Sequence, residues 1–293
     1  MLKHAYENPQ SPGRVIVLGS GGVVGKRLAK SLQSKNIDML GIERKDCDLG
    51  SAHAVEFLKG HFQENDSLVF LSAITPDKGQ GIQAFQDNIA LARNVFEALQ
   101  QKPVGHVLLF SSEAIFPMTS ELLREDSCLC PSDLYGLMHL TREKLFQTLS
   151  VPLGILRSTL IFGPGDTHNS YGPNRFLREA LDQQTITLFG GGEEKRSHVF
   201  VDDVVELTIK ALRHKSTGTL NMCPAPTVSF FDIAKSIQKS LNSDVTIIQK
   251  PRSSAITHRY FDNENLYRAF PDFRFMDLND GIQRMLKGTQ EAK

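Results

Sequence analysis

Residues 15–32 read VIVLGSGGVVGKRLAKSL, and the parsing of that stretch decides the fold. The opening VIVL is continuous enough in apolar character for a buried strand. Gly19, Gly22 and Gly25 follow, and the segment then takes up the spacing of an amphipathic helix. Glycines at a strand-to-helix junction allow a tight turn, close approach of backbone to pyrophosphate and close packing of helix on strand, with the helix N-terminus facing the phosphates. The spacing is GxxGxxG, because a GxGxxG reading from Gly19 meets Val24 at its last position. With a strand before and a helix after, the segment reads as a dinucleotide site. Glu43 ends the next apolar stretch a little over ~20 residues on, where a carboxylate accepts hydrogen bonds from an adenosine ribose. That points to NAD. Arg44 and Lys45 stand beside it and can pair with a 2′-phosphate, which keeps NADP open, as does the plainer reading of a solvated turn of mixed charge.

Outward from this unit the same alternation recurs. DMLGIE comes next, SLVFLSAI precedes AFQDNIALARNVFEALQ, HVLLFSS precedes LYGLMHLTREKLFQTL, and LGILRSTLIFG closes the series. Continuous apolar strands alternating with helices are what a parallel sheet covered on both faces requires. The expected fold is therefore α/β, a doubly wound parallel sheet of the Rossmann kind. After Gly163 the rhythm loosens through GPGDTHNSYGPN, FGGGEEKRS and CPAPT. A smaller mixed α/β lobe is expected there, over the carboxyl edge of the sheet where ligands of such sheets bind. The expected boundaries are 13–165 for the dinucleotide-binding domain, its sheet completed by about 191–224, and 166–293 for most of a substrate-binding lobe. The 33 basic and 33 acidic side chains balance, which leaves no bulk electrostatic case for nucleic acid or an anionic membrane. Cys47, Cys128, Cys130 and Cys223 form no CxxC pair or zinc-like cluster, so reduced thiols and no metal are expected. The start, MLKHAYENPQSPG, lacks the apolar core of a signal peptide, and no run approaches ~18 apolar residues; the expected location is the cytoplasm.

DLYGLMHLTREK, residues 133–144, sets a tyrosine four residues before a histidine. It stands in series with GSGGVVG (19–25), DCDLG (46–50), VFLSA (69–73), DNIALARNVFEAL (87–99), FSSEAIF (110–116), LRSTLIFGPG (156–165), RSHVFVDDV (196–204) and GTLNM (218–222). In this order and spacing the chain resembles the extended short-chain dehydrogenase/reductases of the nucleotide-sugar epimerase/dehydratase family, from about Arg14 to Leu286. The resemblance implies cofactor contacts from Gly19, Gly22, Val23, Val24 and Gly25, from Glu43 and Arg44, and from Asp48 and Leu49 at the adenine. Ser72 and Ala73 on the strand beside the cofactor, Asn88, Tyr135 and His139 complete that set. It further implies that Tyr135 exchanges a proton with a substrate hydroxyl or carbonyl while hydride moves to or from the nicotinamide. Ser112 would hydrogen-bond the same oxygen as charge develops on it. Substrate contacts are implied for Ser112, Glu113, Asn174 and Arg196, the last gripping a diphosphate with its guanidinium fork. The alternative for Arg196 is a surface arginine paired with Asp202 or Asp203. The implied partner is a small molecule, a nucleotide sugar, and a homodimer through helices flanking the sheet is expected by analogy alone.

His139 stands where that family carries a lysine, which holds the nicotinamide ribose and lowers the tyrosine pKa with a permanent charge. Positions four apart share a helix face, so residue 139 lies beside Tyr135. An unperturbed histidine titrates near ~6.5 against ~10.4 for lysine, so at neutrality it is mostly uncharged. Loss of the charge weakens alcohol oxidation, which needs tyrosinate, more than ketone reduction, which needs neutral tyrosine. A histidine packed with no catalytic role is the alternative. Glu113 is followed by Ala114, so the Asp-Glu pair of dehydratases is incomplete, and Leu160 stands where many epimerases have an asparagine. The leading expectation is an NAD(P)-dependent epimerase or 4-keto reductase of a nucleotide-linked sugar. A reductase of another carbonyl compound and a non-catalytic dinucleotide-binding regulatory protein are the competing readings.

Overall fold

The computed structural model describes residues 1–166, 169–241 and 244–290. In chain order the elements are β1 (Val15–Leu18), α1 (Val23–Ser34), β2 (Met39–Ile42), α2 (Ala54–His61), β3 (Ser67–Phe70), α3 (Gly81–Gln101) and β4 (His106–Ser112). There follow β5 (Leu122–Leu123), α4 (Leu134–Phe146), β6 (Leu153–Ser158), β7 (Leu160–Phe162), α5 (Pro173–Gln183), β8 (Thr185–Phe189), β9 (Lys195–Arg196) and β10 (His198–Phe200). The chain ends through α6 (Val201–Arg213), β11 (Gly218–Met222), β12 (Val228–Ser229), α7 (Phe230–Leu241), β13 (Thr246–Lys250), β14 (Tyr260–Phe261), α8 (Glu264–Ala269) and α9 (Leu278–Gln290).

Six strands form one sheet in the order β2-β1-β3-β4-β6-β11, every neighbouring pair parallel. The chain leaves β1 first toward β2 and then crosses back to β3 on the other side. Strand order therefore reverses beside β1, and the carboxyl ends of β1 and β3 open the crevice in which doubly wound sheets bind ligands. Side chains along a strand alternate between faces. Val15 and Val17 enter one core with α1 and α6, while Ile16 and Leu18 enter the opposite core with α2, α3 and α4. Both faces of the sheet are covered, which is why its strands read as unbroken apolar runs rather than alternating ones.

One apolar run behaves differently from its sequence reading. LGILRSTLIFG reads as a single strand, but it divides at Thr159: β6 completes its pairing with β4 and β11, and β7 turns off to pair with β10. The Thr159 hydroxyl donates to the Ser197 carbonyl at 2.6 Å and fixes the departure. Beyond it, α5, α7 and α9 with the parallel β8–β13 pair enclose a separate core built on Phe176, Leu188, Phe230 and Ile233. A fourth cluster, Ile115, Phe116, Leu123, Cys223 and Phe261, packs behind the turn that follows β4. Among the described residues no helix is long and apolar enough to cross a membrane.

Candidate active site

The loop between β1 and α1 takes its shape from close contacts. Gly19 has φ +94°, and a Cβ there would stand 2.9 Å from the Ser72 hydroxyl at the end of β3, so only glycine lets the two strand ends meet this closely. Gly25 abuts the Gly19 carbonyl. Gly22 is the N-cap of α1, no side chain caps that helix, and its first turn holds no acidic residue. The unmatched N–H groups of α1 are thus left for an anion, as a dinucleotide's phosphates require. Val23 and Val24 open the helix, Val24 resting partly on the core.

Beyond the loop, the Glu43 carboxylate lies against Gly21, with the Lys45 ammonium 3.3 Å away. Arg44 pairs with Asp48 at 3.4 Å, Asp48 also accepts the Gly50 N–H, and Leu49 is buried in the core. The carboxylate beside the loop and two exposed cations next to it can meet either a ribose diol or a ribose phosphate. Asn88, buried on α3, accepts the Ile74 N–H at 2.8 Å and donates to the Ile74 carbonyl at 3.0 Å. It fixes the segment that follows Ser72 and Ala73.

Ser112 closes β4 and caps the short turn Glu113–Ile115, its oxygen accepting the Ala114 N–H at 3.2 Å. Asp133 caps α4 by accepting the Gly136 N–H at 2.8 Å. Gly136 is where the two pieces interlock, since a Cβ there would collide with the Ala114 carbonyl. This close approach brings Tyr135 near Ser112, and the serine helps to lower the proton affinity of the phenol. Tyr135 lines a cavity of about 300 Å³ together with Ile74, Phe85, Asn88 and Met138. Desolvation of the phenol pushes its pKa up to about 12, with Asp133 and Asp77 adding to the rise and the Arg142 guanidinium and Ser112 opposing it.

The His139 ring meets Tyr135 edge to face, centroids 4.6 Å apart. It is 4 % exposed, and neither ring nitrogen has a hydrogen-bond partner among the described residues. Burial, seconded by Arg142, holds it well below the ordinary histidine pKa, so the ring is neutral. A buried ring with unsatisfied nitrogens on the tyrosine face fits a ligand hydroxyl, of the kind a nicotinamide ribose presents.

A second group gathers behind Ser112. Glu113 is buried with the Arg259 guanidinium 3.8 Å away, and burial raises its pKa against the pull of Arg259 and Arg196. Arg196 does not pair with Asp202 or Asp203, the alternative its sequence context offers. Its guanidinium donates to the Thr257 carbonyl at 2.6 Å and the Thr257 hydroxyl at 2.7 Å. Asp202 instead binds Arg27 at 2.6 Å, and Asp203 accepts the Met276 N–H at 2.8 Å. The reason is direction: Arg196 belongs to β9, whereas both aspartates sit in the first turn of α6. Asn174 is buried, and its amide is engaged by the Gly163 N–H and Asp166. Sequence reasoning missed Gly21, Arg142, Thr257 and Arg259. The doublet Gly21-Gly22 was a usable signal for the first; Arg142 lies within the 133–144 stretch but three residues past His139, and Thr257 and Arg259 lie outside the quoted motifs.

Residues 15–223 match the model of the NAD dependent epimerase/dehydratase family. GDP-mannose 3,5-epimerase 1 of Oryza sativa subsp. indica is 24% identical over 307 residues, covering 94% of this chain and 81% of its own. Among solved structures, MoeE5 in complex with UDP-glucose and NAD superposes with a TM-score of 0.84 at 20% identity, covering 96% of this chain and 99% of its own. A GDP-L-fucose synthetase from Naegleria fowleri bound to NADP gives 0.84 at 16% identity, covering 99% and 97%. The structural likenesses establish the fold, and the matched span, which runs from β1 through β11, establishes the kinship: this chain belongs to the NAD dependent epimerase/dehydratase family.

Proposed function

We propose that the protein is an NAD(P)-dependent oxidoreductase of a nucleotide-linked sugar, working as an epimerase or a 4-keto reductase through Ser112, Tyr135 and His139. The observation that carries this reading is the convergence of Ser112 and Tyr135, brought together where Gly136 interlocks with the Ala114 carbonyl, with Tyr135 lining a cavity beside the β3 end. The cofactor, when bound, supplies or accepts hydride. Its phosphates fit the uncapped N-terminus of α1, its adenosine end fits Glu43, Arg44, Asp48 and Leu49, and its nicotinamide end fits Ser72, Ala73, Asn88, Tyr135 and His139.

Tyr135 then holds the proton that a substrate carbonyl oxygen requires. With its pKa pushed up to about 12, the phenol is neutral near pH 7 and serves as a general acid. Ser112 donates to the same oxygen and stabilises the charge that gathers there. His139, neutral and without a hydrogen-bond partner among the described residues, can bond a ribose hydroxyl. This protonation pattern favours ketone reduction over alcohol oxidation. Glu113, Arg259 and Arg196 give the substrate end two guanidinium groups around one carboxyl, chemistry suited to a diphosphate. The relatives named above, which carry nucleotide sugars in their names or complexes, support that substrate class.

The test is turnover of NADH and NADPH with UDP-, GDP- and dTDP-linked 4-keto sugars. Tyr135→Phe is expected to lower the rate by about a hundredfold or more while cofactor affinity holds. Undiminished turnover in that variant would remove Tyr135 from the chemistry.

A further inference from the structure

α4 carries a third side chain on the face that holds Tyr135 and His139. Residues 135, 139 and 142 are spaced by four and three, which places them within one narrow arc of the helix. Side chains on a helix lean toward its N-terminus, so an arginine at the far end of such a row reaches back along it. Arg142 does so. Its Nη1 lies 3.9 Å from the Met138 sulfur, and its guanidinium carbon is 4.4 Å from the centre of the Phe70 ring. Its Nη2 donates to the Ser72 carbonyl at 3.1 Å, where the end of β3 meets Gly19. The charge thus comes to rest next to the crevice rather than at the helix surface.

Arg142 is 1 % exposed, and among the described residues no carboxylate pairs with it; its buried Nε has no partner. The same helix shows the contrast. The equally buried Arg157 forms a two-pronged pair with Glu143, at 3.0 and 2.8 Å, and donates to the Glu125 carbonyl. Glu143 directly follows Arg142 but points to the other side. An unneutralised guanidinium in a packed interior is unfavourable, and an apolar residue of similar size would fill the space at less cost. Its presence calls for a role in which the charge itself matters.

We propose that Arg142 is a positioning residue that supplies the fixed positive charge on the Tyr135 face of α4, a charge His139 cannot provide, and thereby sets the proton affinity of the phenol. This rests on the reading of Tyr135 as the proton donor. The groups acting on the phenol are Asp133 from the start of α4, Asp77 from the loop after β3, Ser112 from β4, and Arg142. Of these, Arg142 is the cation. Burial lowers the pKa of Arg142 to about 10, which leaves it protonated near neutrality. Burial, helped by the same charge, keeps His139 deprotonated, so the histidine is confined to neutral hydrogen bonding while the arginine carries the electrostatics.

The experiment compares wild type with Arg142→Met, Arg142→Lys and the double variant Arg142→Met/His139→Lys, reading turnover against pH in the alcohol-oxidising direction together with cofactor affinity and Tm. In Arg142→Met the ascending limb of the profile, where rate rises with pH as the phenol ionises, should move up by about one pH unit, a loss of roughly tenfold at fixed pH below it. Arg142→Lys should leave the limb near its original place, and a lysine at 139 should bring it back in the Met background. Tm of Arg142→Met should hold or rise, because a bare buried charge has been removed. A limb that stays put in Arg142→Met, or a loss of rate that is uniform with pH and accompanied by a lower Tm, overturns the proposal in favour of a structural prop. If Tyr135→Phe already proves harmless, the functional reading has failed on its own. In that case tyrosinate absorbance, taken as wild type minus Tyr135→Phe against the same difference in an Arg142→Met background, still decides whether the arginine governs this phenol.

Discussion

In the proposed reading Ser112 and Tyr135 divide one task between two elements, β4 and α4. The Ala114 N–H occupies one lone pair of the Ser112 oxygen, so its own proton is left for the phenol or for a substrate oxygen in its place. Replacing Ser112 with alanine is expected to lower turnover about a hundredfold, as removal of one donor from a developing oxyanion does, with a small change in KM. Steady-state kinetics with the ketone substrate checks this, and a change confined to KM would instead assign Ser112 to ground-state binding. His139 answers the question its position raises in the sequence only halfway. It sits beside Tyr135, as a residue four further along a helix must, but it is neutral, and the charge on that face comes from Arg142.

At the scale of elements, the site depends on how closely α4 sits on the turn after β4. The contact between Gly136 and the Ala114 carbonyl leaves no room for a Cβ, and the Asp133 cap sets where the helix begins. Gly136→Ala is expected to cost about 2 kcal/mol of stability through overpacking. It should also reduce turnover out of proportion, because the helix can relieve the clash only by lifting Tyr135 away from Ser112. Denaturant unfolding paired with kinetics tests this, and a variant that loses stability but keeps its rate would show that the helix shifts along another direction. The division of LGILRSTLIFG into β6 and β7 is the other decision taken at this scale. Both halves have strand composition, so periodicity alone cannot locate the break. It falls at Thr159 because a hydroxyl there bonds the Ser197 carbonyl, a partner 38 residues away in sequence.

At the scale of the whole molecule, burial of titratable groups fixes the response to acid. Burial lowers His106 to about 4 and His198 to about 3, and holds His139 below its ordinary value as well. Each binds its proton more weakly folded than unfolded, so its stabilising contribution is intact above pH 6.5 and is lost as pH falls through the folded value. For His106 and His198 the loss at pH 5 is about 2 kcal/mol apiece. Asp203 runs the other way: burial raises it to about 6, so its contribution is full below 3.8 and disappears as pH rises through 6, offsetting less than one histidine at pH 5. Tm should therefore drop between pH 7 and pH 5, and His198→Phe, whose ring has no hydrogen-bond partner to lose among the described residues, should narrow the drop. An undiminished difference between the two pH values in that variant would place the acid sensitivity elsewhere. The sequence by itself determined the alternation of strands and helices, the faces they bury, the glycine turn, and the candidates Ser112, Tyr135 and His139, because hydrophobic period and turn chemistry are local properties that a chain displays in order. Only the tertiary structure decided that Arg196 turns to Thr257, that Glu113 is held by Arg259, and that Arg142 is buried on the tyrosine's face of α4. Those outcomes depend on which side chains meet across the fold and which are denied water, and neither is written in the spacing of residues along the chain.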